Sequence, residues 1–341
     1  MSRTRSDWRP TRPGVAQLSV VLETFNVDSL DHHKFLMALR RDGAALLRLP
    51  AADNLAANVL QTYSSCARFF ASPFSEKADH GAADGVGQQH GYMSYLDDDD
   101  GSECFEAKLH HDPRFHWPHG LRRAVHGTFA LLLRTGHLAL TALVDALRLD
   151  PAYVSSLLDL SKPEAAEAAA ASGAVDLSTA SHTAMRIWQY TKSRASGWHC
   201  DNTLLTLAPA GTRIGLECRS PVSNRVYRPE DFMFPDDILV FAGDALSYLA
   251  GGAVPALMHR VAPPPQRASA KARGPSSEPR LSAPCFLRAR RAAMLVAPPI
   301  AQLPPLRVAE LEHNAGNLRG QWHWKKDVAY YEGQTWHSTL S

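Results

Sequence analysis

His199 and Asp201 stand one residue apart in the stretch Trp198-His199-Cys200-Asp201-Asn202-Thr203-Leu204-Leu205-Thr206-Leu207. The Thr-Leu-Leu-Thr-Leu run has the β-branched and apolar composition of a buried strand. On a strand, positions i and i+2 face the same way. The spacing therefore predicts an imidazole and a carboxylate side by side in one cavity. That is most of a 2-His-1-carboxylate set, which is typical of non-haem Fe(II) oxygenases. The missing imidazole has a natural candidate in His259, within Leu257-Met258-His259-Arg260-Val261, far enough downstream for several strands to return beside the first. In Arg280-Leu281-Ser282 a guanidinium and a hydroxyl again share a face. Such a pair suits a carboxylate, which a planar guanidinium grips with two parallel hydrogen bonds. A single His-x-Asp is usually an ordinary surface pair, and His-Arg-Val or Arg-x-Ser alone says little. The order, separations and strand-like context of all three carry the metal-site reading at His199, Asp201 and His259.

The elements that must position these residues begin at His182. Residues 183–190 alternate, 215–218 read as a strand, and 222–227 suggest a hairpin. Residues 237–242 form a strand ending at Gly243-Asp244, and Gly251-Gly252 turns the chain before His259. Many short strands separated by turns point to a double-stranded β-helix, a jelly roll with the metal at its mouth. Upstream the pattern is largely helical. Residues 31–41 read as an amphipathic helix stopped by Gly43, and 44–49 as a strand. Asp53 is a candidate N-cap for a helix to Phe70, and 121–149 form a long helix with Gly136 as its candidate break. Asp150-Pro151 supplies a cap and first-turn proline for the next helix. The expected class is α+β: a β-rich jelly-roll core flanked by N-terminal helices.

At 341 residues and 45% hydrophobic, the chain can bury a large core. Its net charge of +2 gives no sign of a nucleic-acid partner. The most apolar stretch, 129–147, carries Arg134, His137 and Asp145, so it reads as a core helix and no membrane partner is expected. The cysteines at 66, 104, 200, 218 and 285 are scattered, which argues against a disulfide framework and for a reducing compartment, the cytoplasm. Asp97-Asp98-Asp99-Asp100-Gly101 lacks the carboxylates an EF-hand needs at its first and last positions, so it reads as a solvated turn. His110, His111, His116 and His119 are too irregularly spaced for a metal cage and read as a loop.

The order His-x-Asp, His-Arg-Val, Arg-x-Ser resembles the isopenicillin N synthase-like branch of the Fe(II)/2-oxoglutarate oxygenases. Arg41-Asp42-Gly43-Ala44-Ala45-Leu46-Leu47 resembles an early strand of that branch, and Ala67-Arg68-Phe69-Phe70-Ala71-Ser72-Pro73 with Lys77 its "RFF-x-LP-x-x-x-K" segment. Gly91-Tyr92, Phe105-Glu106-Ala107-Lys108 and Gly215-Leu216-Glu217-Cys218 are also similar. The resemblance implies Fe(II) held by His199, Asp201 and His259, with O2 and the cosubstrate 2-oxoglutarate at the open positions. It implies that Arg280, helped by the hydroxyls of Ser282 and Tyr190, binds the keto acid's distal carboxylate. It implies oxidation of a small organic molecule, by hydroxylation or desaturation, with release of succinate and CO2, by a monomer. Asp201 argues against halogenation. Trp188 stands where relatives have an asparagine. Phe105, Trp188, Trp198 and Phe286 are candidate pocket lining, with core packing the equal alternative. The resulting segmentation is a disordered arm (1–19), an N-terminal region (20–160), an Ala-rich insertion (161–174), the catalytic core (182–292, interrupted by a Pro-rich disordered loop at 263–279) and a tail packed on the core (293–341). Two alternatives stay open: an iron oxidase that does not use 2-oxoglutarate, and a non-catalytic jelly-roll binding protein.

Overall fold

The computed structural model describes residues 20–81, 91–96, 101–108, 116–158, 182–191, 197–262, 279–290, 292–298, 305–308 and 310–311. The arm at 1–19, the acidic run at 97–100, His110, His111, the insertion at 161–174, the loop at 263–278 and residues 312–341 lie outside these. In chain order the strands are β1 (Thr24–Asn26), β2 (Ala44–Arg48), β3 (Gly91–Tyr95), β4 (Ser102–Lys108), β5 (Ala184–Tyr190), β6 (Leu205–Pro209), β7 (Leu216–Arg219), β8 (Val226–Tyr227), β9 (Asp237–Ala242), β10 (His259–Val261), β11 (Arg280–Ser282), β12 (Cys285–Leu287), β13 (Met294–Leu295) and β14 (Leu306–Arg307). The helices are α1 (His32–Asp42), α2 (Leu55–Phe70), α3 (Phe74–Ala78), α4 (Leu121–Ala146), α5 (Pro151–Leu157) and α6 (Asp244–Leu249).

Strand alternation sorts the residues of the main sheet. Its order is β1-β2-β9-β6-β12-β5-β4-β3, with β11 also paired to β5. The β1–β2 pairing is parallel and the remaining ones are antiparallel. One face presents Leu47, Val240, Leu207, Leu287, Ile187 and Phe105, which are buried in one core cluster with residues of α1, α2 and α4. The other face presents Leu46, Leu239 and Phe241, which cluster with Cys218 and Tyr227 of the small sheet β10-β7-β8. The helices therefore cover one side of the main sheet and the small sheet covers part of the other. The described part of the C-terminal region joins the helical-side core through Leu295, Val308 and Leu311.

Local chemistry explains the helix limits. The Asp31 carboxylate accepts from Lys34 N at 3.0 Å, and Gly43 ends α1 in the left-handed conformation at φ 82°. At the start of α5 the Asp150 carboxylate accepts from Ala152 N at 2.9 Å. The expected cap at Asp53 is wrong. Asn54, left-handed at φ 52°, occupies that place, and Asp53 closes a 3-10 turn and pairs with Arg134 of α4. Gly136 does not break α4, which runs unbroken for 26 residues. A Cβ at Gly136 would meet Leu207 Cδ1 at 2.9 Å, so the glycine lets the helix approach the sheet. Among the described residues α4 alone is long and apolar enough to cross a membrane, and it packs against α1, α2, β6 and β12. Lys77 is buried: it donates to Phe70 O at 3.0 Å and to Glu103, which also accepts from Tyr92 and Gln189. This network pins α3 to the sheet.

Candidate metal centre

Sequence spacing placed His199 and Asp201 on a strand, but β6 begins only at Leu205. His199 instead forms an isolated bridge with His259: His199 N donates to His259 O at 3.0 Å and His259 N to His199 O at 2.9 Å. Asp201 lies in the turn before β6, where its carbonyl accepts from Asp244 N at 2.7 Å. The start of α6 is so close that a Cβ on Gly243 would come within 2.4 Å of Asp201 O. The backbone carbonyls of Asp201 and Thr203 thus accept from the start of α6, and strand pairing begins only at Leu204, whose N–H donates to Leu287 O at 2.9 Å, which is why periodicity set the strand start too early.

The three side chains still converge. His199 Nε2 is 3.9 Å from Asp201 Oδ1, His259 Nε2 is 3.8 Å from Asp201 Oδ2, and one ligand atom from each residue lies within 4.8 Å of the others. These gaps are too long for hydrogen bonds. One cation roughly 2 Å from each donor would close them. The outer nitrogens support this donor set. His199 Nδ1 lies 2.8 Å from Gly197 O and His259 Nδ1 lies 3.0 Å from Leu257 O. A carbonyl only accepts, so each Nδ1 carries the proton and each Nε2 offers its lone pair, the arrangement of metal-bound imidazoles. Thr206 Oγ1 donates to Asp201 Oδ2 at 2.7 Å. Burial pushes the Asp201 carboxyl up, but His259, His199, the Thr206 hydroxyl and Arg288 outweigh it and hold the group below the ordinary range. Burial and the nearby His199 hold His259 below the usual imidazole range despite Asp201. Both ligands are thus kept in the deprotonated form a metal requires.

Arg280 and Ser282 pair with Tyr190 and Trp188 across β11 and β5, so all four share the face turned toward the triad. The expectation of a guanidinium free to grip a carboxylate with two nitrogens needs correction. Arg280 Nη2 already donates to Glu230 at 2.7 Å and Nε to Arg213 O at 3.0 Å. Nη1 alone is buried without a hydrogen-bond partner. Glu230 also accepts from Gly211 N at 3.1 Å, Gly215 N at 2.6 Å and Leu216 N at 3.0 Å. A Cβ at Gly215 would lie 2.7 Å from Arg280 Nε, so the turn must be glycine to pass so close. No spacing in the sequence points to Glu230. The Tyr190 phenol, pushed up to about 12 by burial against the pull of Arg280 and a Ser282 hydrogen bond, stays protonated.

The four candidate lining residues divide. Trp188 stacks between Tyr95 and Tyr190 at 5.7 and 6.0 Å, and Phe286 points to the same face. Phe105 is fully buried on the opposite face against Phe69 and Trp117, so it is core. Trp198 packs against the guanidinium groups of Arg219 and Arg260, each 4.7 Å from its ring centre.

No family model matches the chain, and no curated protein does. Solved structures share its fold. A full-length Neurospora crassa protein in complex with alpha-ketoglutarate superposes with a TM-score of 0.64 at 17% identity, over 89% of this chain and 98% of that one. A protein assigned to the 2OG-Fe(II) oxygenase family from Caulobacter crescentus gives 0.63 at 20% identity, over 88% and 100%. A rice dioxygenase for auxin oxidation gives 0.62 at 15% identity, over 87% and 95%. At these identities the likeness establishes the fold.

Proposed function

We propose that the protein is an Fe(II)- and 2-oxoglutarate-dependent oxygenase. It would hydroxylate or desaturate a small organic molecule and release succinate and CO2. The observation that carries this reading is the convergence of two Nε2 lone pairs and one ionised carboxylate, with both Nδ1 atoms committed to carbonyls. The two-sheet architecture is read as a jelly roll (double-stranded β-helix). The Neurospora crassa protein of the same fold was crystallised with alpha-ketoglutarate and with thymine or 5-formyluracil, which supports a keto-acid cosubstrate and a small-molecule substrate. Cys66, Cys104, Cys218 and Cys285, buried without disulfides, suit a reducing compartment such as the cytoplasm, where the chain would act as a monomer by analogy with the resembled branch.

His199, Asp201 and His259 would hold iron through three donors and leave positions open for other ligands. Iron, when bound, supplies the redox chemistry that links dioxygen to decarboxylation of the keto acid. Thr206 fixes the Asp201 carboxylate so that one oxygen faces His199 and the other His259. Arg280 offers Nη1, with the hydroxyls of Ser282 and Tyr190 beside it, to the distal carboxylate of 2-oxoglutarate. Glu230 orients that guanidinium through Nη2. Trp188 and its two tyrosine neighbours give that wall an apolar surface.

The same ion pair favours the second reading, an iron oxidase without a keto acid, because Arg280 already has a carboxylate partner. Succinate release separates the two. The oxygenase reading expects 2-oxoglutarate turnover that stops when iron is chelated and returns with Fe(II). Iron-dependent oxygen uptake indifferent to 2-oxoglutarate would select the oxidase.

A further inference from the structure

The three metal-centre side chains are not equally supported. His259 is 8% exposed, Asp201 12% and His199 45%. The His259 ring packs 4.9 Å from that of Phe241, and Asp201 accepts from Thr206. The His199 imidazole bonds the carbonyl of Gly197, two residues back in its own segment. Its place in the triad therefore depends on how firmly the backbone at 197–199 is held.

Pairing places a second row of residues behind the ligands. His199 bridges to His259, His259 pairs with Cys218 of β7, and Cys218 with Tyr227 of β8. Successive residues on extended backbone face opposite ways. The same antiparallel register therefore sets Trp198, Arg260, Glu217 and Arg228 in line on the opposite face. Arg260 donates to Glu217 through Nε at 3.0 Å and Nη2 at 2.8 Å, and Arg228 through Nη2 at 3.1 Å. Burial raises the Glu217 carboxyl, but Arg260 and Arg228 outweigh it and hold it below the ordinary range. Arg219, two residues beyond Glu217 on β7, faces the same way, and its N–H donates to Met258 O at 2.9 Å. The guanidinium groups of Arg219 and Arg260 each lie 4.7 Å from the centre of the Trp198 ring. Contact of this kind draws a cation to the electron-rich ring face.

We propose that Trp198 is a positioning residue for the metal centre. Its ring, held by Arg219 and Arg260, fixes the backbone from which His199 projects to the other face. The most exposed ligand is thereby kept opposite Asp201. Glu217 orients Arg260 for this contact, so the ion-pair row reaches the metal through one indole ring. Trp198 thus acts from behind His199 and does not line the pocket. A ring that merely covered the small sheet would stabilise the fold equally with and without metal, whereas a positioning ring changes metal affinity. The proposal rests on the reading of His199, Asp201 and His259 as the metal site.

The test titrates the full-length, metal-free protein with Co(II) against a competing chelator, without oxygen, and records the visible absorption of the bound ion. Trp198→Leu should bind Co(II) about tenfold more weakly, as outer-sphere changes do, with altered Co(II) bands. Trp198→Phe keeps a ring for both guanidinium groups and should return to within about threefold of wild type. Arg219→Gln keeps the ring, removes one cation and should bind about threefold more weakly. Thermal unfolding with and without Co(II) separates the two roles: the Tm gap between wild type and Trp198→Leu should widen when the metal is added. Wild-type Co(II) affinity in Trp198→Leu, a Phe variant as weak as the Leu variant, or a Tm gap indifferent to metal overturns the proposal. If Trp198→Leu fails to fold, Arg219→Gln decides, and unchanged affinity there overturns it. A wild-type protein that binds no Co(II) instead overturns the metal-site reading on which the proposal rests.

Discussion

Asp201 is the only carboxylate within reach of both site imidazoles among the described residues, so its loss removes the anionic ligand. Asp201→Ala should lose Fe(II) binding by metal analysis and all succinate release; wild-type-like activity would remove the assignment. Thr206→Val keeps the ligand and deletes the hydroxyl that orients it. Outer-sphere changes of this kind typically cost 10–100-fold in metal affinity, so about tenfold weaker iron binding is expected by competition titration. Glu106 has a different pH signature. Burial raises its pKa, but Arg186, Lys108 and Arg288 outweigh this and hold it below the usual range. A depressed carboxyl contributes stability above its unfolded value and loses it as pH falls through the folded one. Glu106→Gln should therefore destabilise by about 3–5 kcal/mol near neutrality. In urea unfolding the gap to wild type should shrink below about pH 4.5.

At the scale of elements, two glycines hold surfaces together by lacking a Cβ. Gly136 lets α4 sit on Leu207 and Leu287. Gly136→Val should destabilise by about 1–3 kcal/mol through overpacking, measurable as a lower Tm, without abolishing iron binding. Gly43 combines φ 82° with a would-be Cβ contact of 2.6 Å to Leu257. The helix ends at Asp31, Gly43 and Asp150 were legible because caps act locally, within a few residues. The Asp53 cap was misread because Arg134, distant in sequence, takes that carboxylate. The start of β6 was misread because contact with α6, formed after β9, diverts the backbone around Asp201. Alternation alone could not show that Phe105 packs beneath the helices, since either face of β4 is buried.

Across the whole molecule, the triad was legible because few residue types can hold iron and their order along the chain is distinctive. Glu230, Thr206 and the Glu106 cluster were not, because each acts through a partner that only the fold brings near: Arg280, Asp201, and Arg186 with Arg288. Arg280, Thr206 and Glu106 lie on one face of the main sheet. The most direct test is an anaerobic titration of the Fe(II)-loaded protein with 2-oxoglutarate, followed by visible absorption. The account predicts a metal-to-ligand charge-transfer band that saturates at one equivalent, and weaker 2-oxoglutarate binding in Arg280→Met. Iron bound without that band would contradict it.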